Sequence, residues 1–77
     1  MTVRFFASIA EITGCESISL GDATSDTYVL RERLEARWPS LKNATYALAV
    51  NRVIVSSEPF VLSEGDEVAL LPPFSGG

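Results

Sequence analysis

The feature that most constrains the fold is one amphipathic helical segment with strand-like segments on both sides of it. Leu30, Leu34 and Trp38 recur at a spacing of four, which places them on one face of a helix from Thr27 to about Arg37. A stripe of this width is typical of a helix that packs against a sheet. The segment is therefore predicted to form a helix-on-sheet core.

Both ends of this helix are marked in the sequence. Asp26 is the predicted N-cap, because its carboxylate can accept free backbone N–H groups of the first turn. Pro39 cannot continue a helix. Between these ends, the charged residues are expected to face water: Arg31, Glu32, Arg33, Glu35 and Arg37.

Period-two alternation predicts strands before the helix. Residues 2–6 place Val3 and Phe5 on one face and Arg4 and Phe6 on the other. Residues 15–20 alternate in the same way and are expected to run antiparallel to the first strand.

A short helix is predicted between these two strands. Ser8 is its candidate N-cap, residues 9–12 form it, and Gly14 ends it in a left-handed conformation.

Three strand-like segments follow the long helix. Residues 46–50 and 53–55 are separated only by Asn51 and Arg52, which is the length of a tight hairpin turn. Arg52 tolerates positive φ poorly, so a longer or bulged turn remains open. Residues 67–71 form the last predicted strand.

This element order predicts an α+β fold of the β-grasp, ubiquitin-like type. A mixed sheet of about five strands would surround one main helix plus a short helix, since helices and strands alternate too irregularly for a doubly wound sheet. Residues 1–71 are predicted to form the domain, and residues 72–77 an extended C-terminal tail.

Composition excludes several classes of function. The chain has 77 residues and a formal net charge of −4, which disfavours nucleic-acid partners. It has no apolar run of the roughly 18 residues needed to cross a bilayer, so no membrane partner is expected. A single cysteine and the absence of a signal-peptide pattern favour the cytoplasm.

The sequence has few residues suited to conventional catalysis. The chain has no histidine, hence no ordinary general base near neutral pH and no typical zinc site. Cys15 has no basic neighbour in sequence and is interpreted as a small packing residue. No metal site and no stably bound cofactor are predicted.

The tail offers a different chemistry. Pro72 and Pro73 favour extended backbone, and Gly76 and Gly77 lack Cβ atoms, so such a tail can pass through a narrow channel into another protein. ATP can convert the inert carboxylate of Gly77 to an acyl-adenylate, from which a sulfur or nitrogen nucleophile displaces AMP. The tail therefore predicts delivery of its terminal group to a partner.

The chain resembles the small, sulfur-carrying subunits of molybdopterin synthase, in the MoaD/ThiS group of ubiquitin-like proteins. The terminal Pro-Pro-x-[Ser/Thr]-Gly-Gly is the specific part of this resemblance, and the other matches are individually weak. The matching residues are Val3 to Ala7, Glu11, Gly14, Leu30, Leu34, Pro39, Ala49 to Asn51, Gly65 to Val68, and Leu71 to Gly77.

The resemblance implies a function in molybdenum cofactor biosynthesis. An E1-like adenylyltransferase would use ATP to adenylate Gly77, and a sulfur donor protein would convert the adenylate to a thiocarboxylate. The tail, Pro72 to Gly77, would then enter the large, catalytic subunit and deliver sulfur to cyclic pyranopterin monophosphate. The synthase, a sulfurtransferase, would be a heterotetramer of two small and two large subunits, in which this chain is not catalytic on its own.

The resemblance also implies that the outer sheet face binds partners, with Phe6, Ile54 and Leu71 as the interface candidates. Ala10 and Phe74 depart from the usual arginine and valine, which affects surface contacts rather than the tail chemistry. Three alternatives remain open: a thiamine thiazole sulfur carrier, a protein modifier that forms isopeptide bonds through Gly77, and an interaction domain with an idle tail.

Overall fold

The computed structural model describes residues 1–21 and 26–73. The predicted tail residues Phe74, Ser75, Gly76 and Gly77 lie outside these ranges. Within them the elements, in chain order, are β1 (Thr2–Phe5), α1 (Ser8–Thr13), β2 (Ser17–Ser19), α2 (Thr27–Arg37), a 3₁₀ helix (Pro39–Asn43), β3 (Ala47–Val50), β4 (Val53–Ile54) and β5 (Glu67–Leu71).

The strands form one mixed five-stranded sheet in the order β2-β1-β5-β3-β4. The two central neighbours β1 and β5 are parallel, with Val3 opposite Val68. β2 is antiparallel to β1, as the alternation predicted, and β3 is antiparallel to both β4 and β5. The predicted α+β fold with a mixed sheet and two α-helices is confirmed.

The core lies between the inner face of the sheet and α2. The predicted stripe is correct at Leu30 and Leu34, both of which are buried. Trp38 is half-buried and packs edge-to-face on Phe5, with ring centroids 5.4 Å apart. Six inward-facing strand residues complete the inner face: Val3, Phe5, Leu48, Val50, Val68 and Leu70.

The caps of the two helices differ from one another. Asp26 caps α2 as predicted, since its Oδ1 accepts a hydrogen bond from the Val29 N–H at 3.0 Å. The prediction that Ser8 caps α1 is wrong. Ser8 is the first helical residue, and the preceding Ala7 has a φ of 49° and makes no side-chain cap. Gly14 ends α1 with a φ of 75°, as expected.

The charged face of α2 is only partly solvated, which corrects the expectation for two of its residues. Arg31 is half-buried and forms a forked ion pair with Glu58, whose shortest contact is 2.6 Å. Glu35 accepts a hydrogen bond from the Tyr46 hydroxyl at 2.9 Å. These contacts tie α2 to the segment after β4 and to the residue just before β3. The periodicity of a helix cannot reveal them, because both partners lie outside the helix.

Candidate functional site

The outer face of the sheet, opposite α2, carries a shallow groove. Strand register places one row of side chains across four strands, with Arg4 opposite Ala69, Ala69 opposite Ala49, and Ala49 opposite Ile54. Two small residues therefore lie between two large ones. Ala49 is only 5% exposed although it lies on the outer face.

The three predicted interface residues meet at this groove. Phe6 is 42% exposed and Ile54 is 51% exposed, whereas Leu71 is half-buried at the end of β5. Their side chains line a single cavity of about 330 Å³. We call this cavity the outer-face groove; its lining residues are Arg4, Phe6, Ala49, Arg52, Ile54, Glu67, Ala69 and Leu71.

Exposed apolar residues grouped in this way are the usual mark of an interaction surface. Phe6 and Leu71 continue the alternation of β1 and β5, so the sequence placed them on one face correctly. Ile54, the third predicted interface residue, lines the same cavity from β4 at the edge of the sheet.

The charged rim of the groove contains a surface ion pair. Arg4 Nε donates to Glu67 Oε2 at 2.7 Å, and both side chains are more than a third exposed. Such a pair contributes at most about 1 kcal/mol to stability. The ion pair neutralises the charges of Arg4 and Glu67 on the rim. It leaves the apolar floor of the groove accessible.

The β3–β4 turn forms another part of the rim. Asn51 and Arg52 have φ values of 51° and 71°, so the hairpin is closed by a tight two-residue turn, and the longer or bulged alternative is wrong. Asn51 fixes this turn to β5, because its Oδ1 accepts from the Glu67 N–H and its Nδ2 donates to Asp66 Oδ1, each at 3.0 Å.

Asp66 stabilises the same corner of the molecule. Its carboxylate accepts hydrogen bonds from the Ser63 N–H at 2.8 Å and from Asn51, and these lower the pKa of Asp66 below its ordinary value. Because the folded-state pKa is lowered, the stabilisation is present above the unfolded-state pKa of about 3.9 and is lost as pH falls through the folded-state pKa.

We expect Asp66→Asn to lower the melting temperature near neutral pH, with a difference from wild type that shrinks below a pH of about 3.9. Thermal melts across the acid range measure this directly. Glu64→Gln is the control, since it removes a nearby carboxylate without touching these hydrogen bonds. A difference that stayed constant with pH would show that Asp66 acts by packing rather than by charge.

The predicted tail begins where the sheet ends. β5 ends at Leu71, Pro72 is half-buried, and Pro73 is exposed. Leu71 lines the groove and Phe6 lies beside it. The chain therefore leaves the domain at the edge of the outer-face groove that these two residues form. Gly76 and Gly77, which carry the predicted chemistry, lie beyond the described residues.

Cys15, the single cysteine, lies away from the groove. Cys15 is half-buried against the core, with its Sγ 3.8 Å from Thr13 Oγ1. Among residues 1–21 and 26–73, no three His, Cys, Asp or Glu side chains are grouped so as to hold a metal ion. None of the helices formed by these residues has the length and apolar character needed to traverse a bilayer.

Five residues of the groove are not among the predicted site residues: Arg4, Ala49, Arg52, Glu67 and Ala69. Strand alternation places Arg4 on the same face as Phe6, and Ala69 on the same face as Leu71. One residue of the floor, Ala69, and one of the rim, Arg4, could therefore be predicted from the sequence. Ala49 and Arg52 join them only through the register between β3 and β5, which a single strand does not reveal.

The fold and its outer face define a small ubiquitin-like β-grasp protein. The chain belongs to the ThiS family, whose sequence profile matches residues 3–77. Several relatives carry the name molybdopterin synthase sulfur carrier subunit. The Escherichia coli K12 protein is 34% identical, over 97% of this chain and 96% of its own length. The human protein is 36% identical, over 97% of this chain and 91% of its own length.

The chain is also similar to several solved structures. Small archaeal modifier protein 1 from Methanosarcina acetivorans aligns with a TM-score of 0.83 at 21% identity, covering 99% of this chain and 94% of its own, and shows the shared fold. A complex of subunits 1 and 2 of molybdopterin-converting factor from Helicobacter pylori contains a chain that aligns with a TM-score of 0.68 at 30% identity. That alignment covers 99% of this chain and 96% of the other.

Proposed function

We propose that this chain is the sulfur-carrier subunit of a molybdopterin synthase and acts in molybdenum cofactor biosynthesis. The observation that carries the proposal is the likeness to sulfur-carrier subunits along the whole chain, with a family match that extends through Gly77. The structure is compatible with a carrier, because its exposed apolar groove and the exit of its tail lie at one edge of one face.

The reacting group in this proposal is the α-carboxylate of Gly77. An E1-like enzyme would attach it to the α-phosphorus of ATP with release of pyrophosphate. Sulfide-level sulfur from the donor would then attack the carbonyl carbon, the bond from that carbon to the AMP oxygen would break, and AMP would leave a thiocarboxylate behind. The domain itself supplies no catalytic group to these steps. It presents the tail to enzymes that activate it, load it and use it.

The outer-face groove is the proposed docking surface for the large subunit of the synthase. A subunit 1 and subunit 2 complex exists for the similar Helicobacter pylori protein, which supports a large-subunit partner. Burial of Phe6, Ile54 and Leu71 against that subunit would hold the domain in place while Pro72 to Gly77 enter its active site. Cyclic pyranopterin monophosphate would receive the sulfur there, in an assembly of two small and two large subunits.

The proline pair has a mechanical role in this delivery. Pro72 and Pro73 have restricted φ and favour extended backbone, so less conformational entropy is lost when the tail is inserted. Gly76 and Gly77 have no side chains to clash with the walls of a narrow channel. The proline pair thus keeps the first part of the tail extended, and the terminal glycines keep its end narrow.

Intact-mass spectrometry tests the proposal directly. After incubation with the activating enzyme, ATP and a sulfur donor, the chain is expected to gain the mass difference between one sulfur and one oxygen. Omission of ATP is the control and should abolish the change. No mass change in the complete mixture would contradict the sulfur-carrier function.

Genetic rescue separates the sulfur-carrier pathways. We expect the chain to restore growth of a strain that lacks its molybdopterin synthase small subunit. Rescue of a thiamine auxotroph instead would assign it to thiazole synthesis, and tail-bearing lysine adducts in extracts would assign it to protein modification.

A further inference from the structure

Arg52 occupies a backbone position that disfavours its side chain. It is the second residue of a two-residue hairpin turn and has a φ of 71°, where glycine is the favoured residue because a Cβ crowds the backbone. Long side chains held in such conformations cluster at functional sites, where the surrounding structure maintains them. An arginine in this unfavourable conformation therefore indicates that its side chain has a role of its own.

Arg52 is not what holds the turn. The turn is attached to β5 through Asn51, whose N–H donates to the Glu67 carbonyl at 2.8 Å and whose side chain bonds the Glu67 N–H and Asp66. None of these hydrogen bonds uses the Arg52 side chain. Glycine at position 52 would keep all of them and relieve the backbone.

The charge of Arg52 has no ion-pair partner among the residues that the structure describes. Arg4, the other cation on the groove, is paired with Glu67 at 2.7 Å. Throughout residues 1–21 and 26–73, no carboxylate forms an ion pair with Arg52. The Arg52 guanidinium, which pairs with no carboxylate of residues 1–21 and 26–73, thus lies at the rim of an apolar groove that also contains Ile54 and Leu71.

We propose that Arg52 is the charge-specificity residue of the outer face and binds a carboxylate of the protein that fills the groove. The inference rests on the proposed function, since that protein is taken to be the large synthase subunit. A covering partner removes water from the guanidinium, and only an anion placed against it compensates for the loss. Guanidinium and carboxylate form the forked, two-bond pair that fixes orientation as well as charge.

The surroundings favour an acidic side chain over a phosphate group. The groove beside Arg52 is floored by Ala49 and Ala69 and flanked by Ile54, so the matching surface must be mainly apolar. Arg4 is already neutralised, and the chain has a net charge of −4, which repels polyanions. One carboxylate next to a large apolar side chain is the complementary arrangement.

The test is Arg52→Gly, measured for stability and for affinity to the purified large subunit. We expect the melting temperature to stay equal to wild type or to rise by up to about 8 °C. The dissociation constant should increase about 10-fold at low salt, and this difference should shrink as salt is added. Arg52→Glu should weaken binding further, and Arg52→Lys should retain part of it.

Arg37→Gln is the matched control, because it removes one positive charge from α2 on the opposite side of the sheet. It should change the affinity less than twofold, roughly the scale of a distant screened charge. Unchanged affinity in Arg52→Gly, or a loss of stability in that variant, would overturn the inference while leaving the proposed function intact. Failure of the wild-type chain to bind the large subunit would overturn both.

Discussion

Replacing Gly77 with valine should reduce thiocarboxylate formation by about 10²-fold or more without changing the melting temperature. A β-branched side chain at the reacting carboxylate restricts its backbone and widens the tail where a narrow channel must close around it. Small displacements of a reacting group cost on the order of 10²-fold in rate. Intact-mass measurement of the loaded fraction over time gives the ratio of rates.

Pro73→Ala is the control for the Gly77 substitution. It keeps the length of the tail and the terminal group but loosens the backbone of an exposed residue. Its effect should be limited to a few-fold reduction, since only the entropy of insertion changes. Equal loading of the Gly77→Val chain and wild type would show that activation does not require a terminal residue without a side chain.

Filling the outer-face groove should weaken binding to the large subunit while the domain still folds. Ala69→Phe places an aromatic ring on the floor of the groove, on a strand position that accepts aromatic residues well. The partner then loses the site for one apolar side chain, whose burial is worth about 1.5–3 kcal/mol. The dissociation constant for the large subunit should rise by roughly 10- to 150-fold, measured by calorimetry.

Ala36→Phe is the matched control for Ala69→Phe. Position 36 is an exposed residue of α2, so the same side chain is added on the other side of the molecule. It should leave the affinity unchanged. If Ala69→Phe bound the large subunit as tightly as wild type, the groove would not be the docking surface, whatever the tail does.

The periodic elements of the fold were predictable because each is governed by its own residues. Leu30 and Leu34 define the buried stripe of α2 without reference to the sheet, and Asp26 supplies its cap locally. Ser8 shows the limit of such reasoning. The chain enters α1 through an Ala7 with positive φ, which depends on how β1 leads into the helix and not on the capping preference of serine.

The candidate site was predictable where strand alternation sufficed and unpredictable where register mattered. Phe6 and Leu71 follow from the period of their own strands. The recessed floor requires Ala49 and Ala69 to be opposite each other on β3 and β5, which is a property of the pairing. The turn geometry was equally hidden, because Asn51 needs the distant Asp66 and Glu67 to hold Arg52 in its unfavourable conformation.

The position of β5 in the sheet has a consequence for synthesis of the protein. The final strand lies between β1 and β3, so the sheet has a gap in its middle until residue 71 has left the ribosome. Its parallel pairing with β1 joins residues more than sixty positions apart, which makes closure a slow, non-local step. A chain that lacks β5 therefore lacks both the outer-face groove and the anchor of the tail, so neither is in place before the last strand has paired.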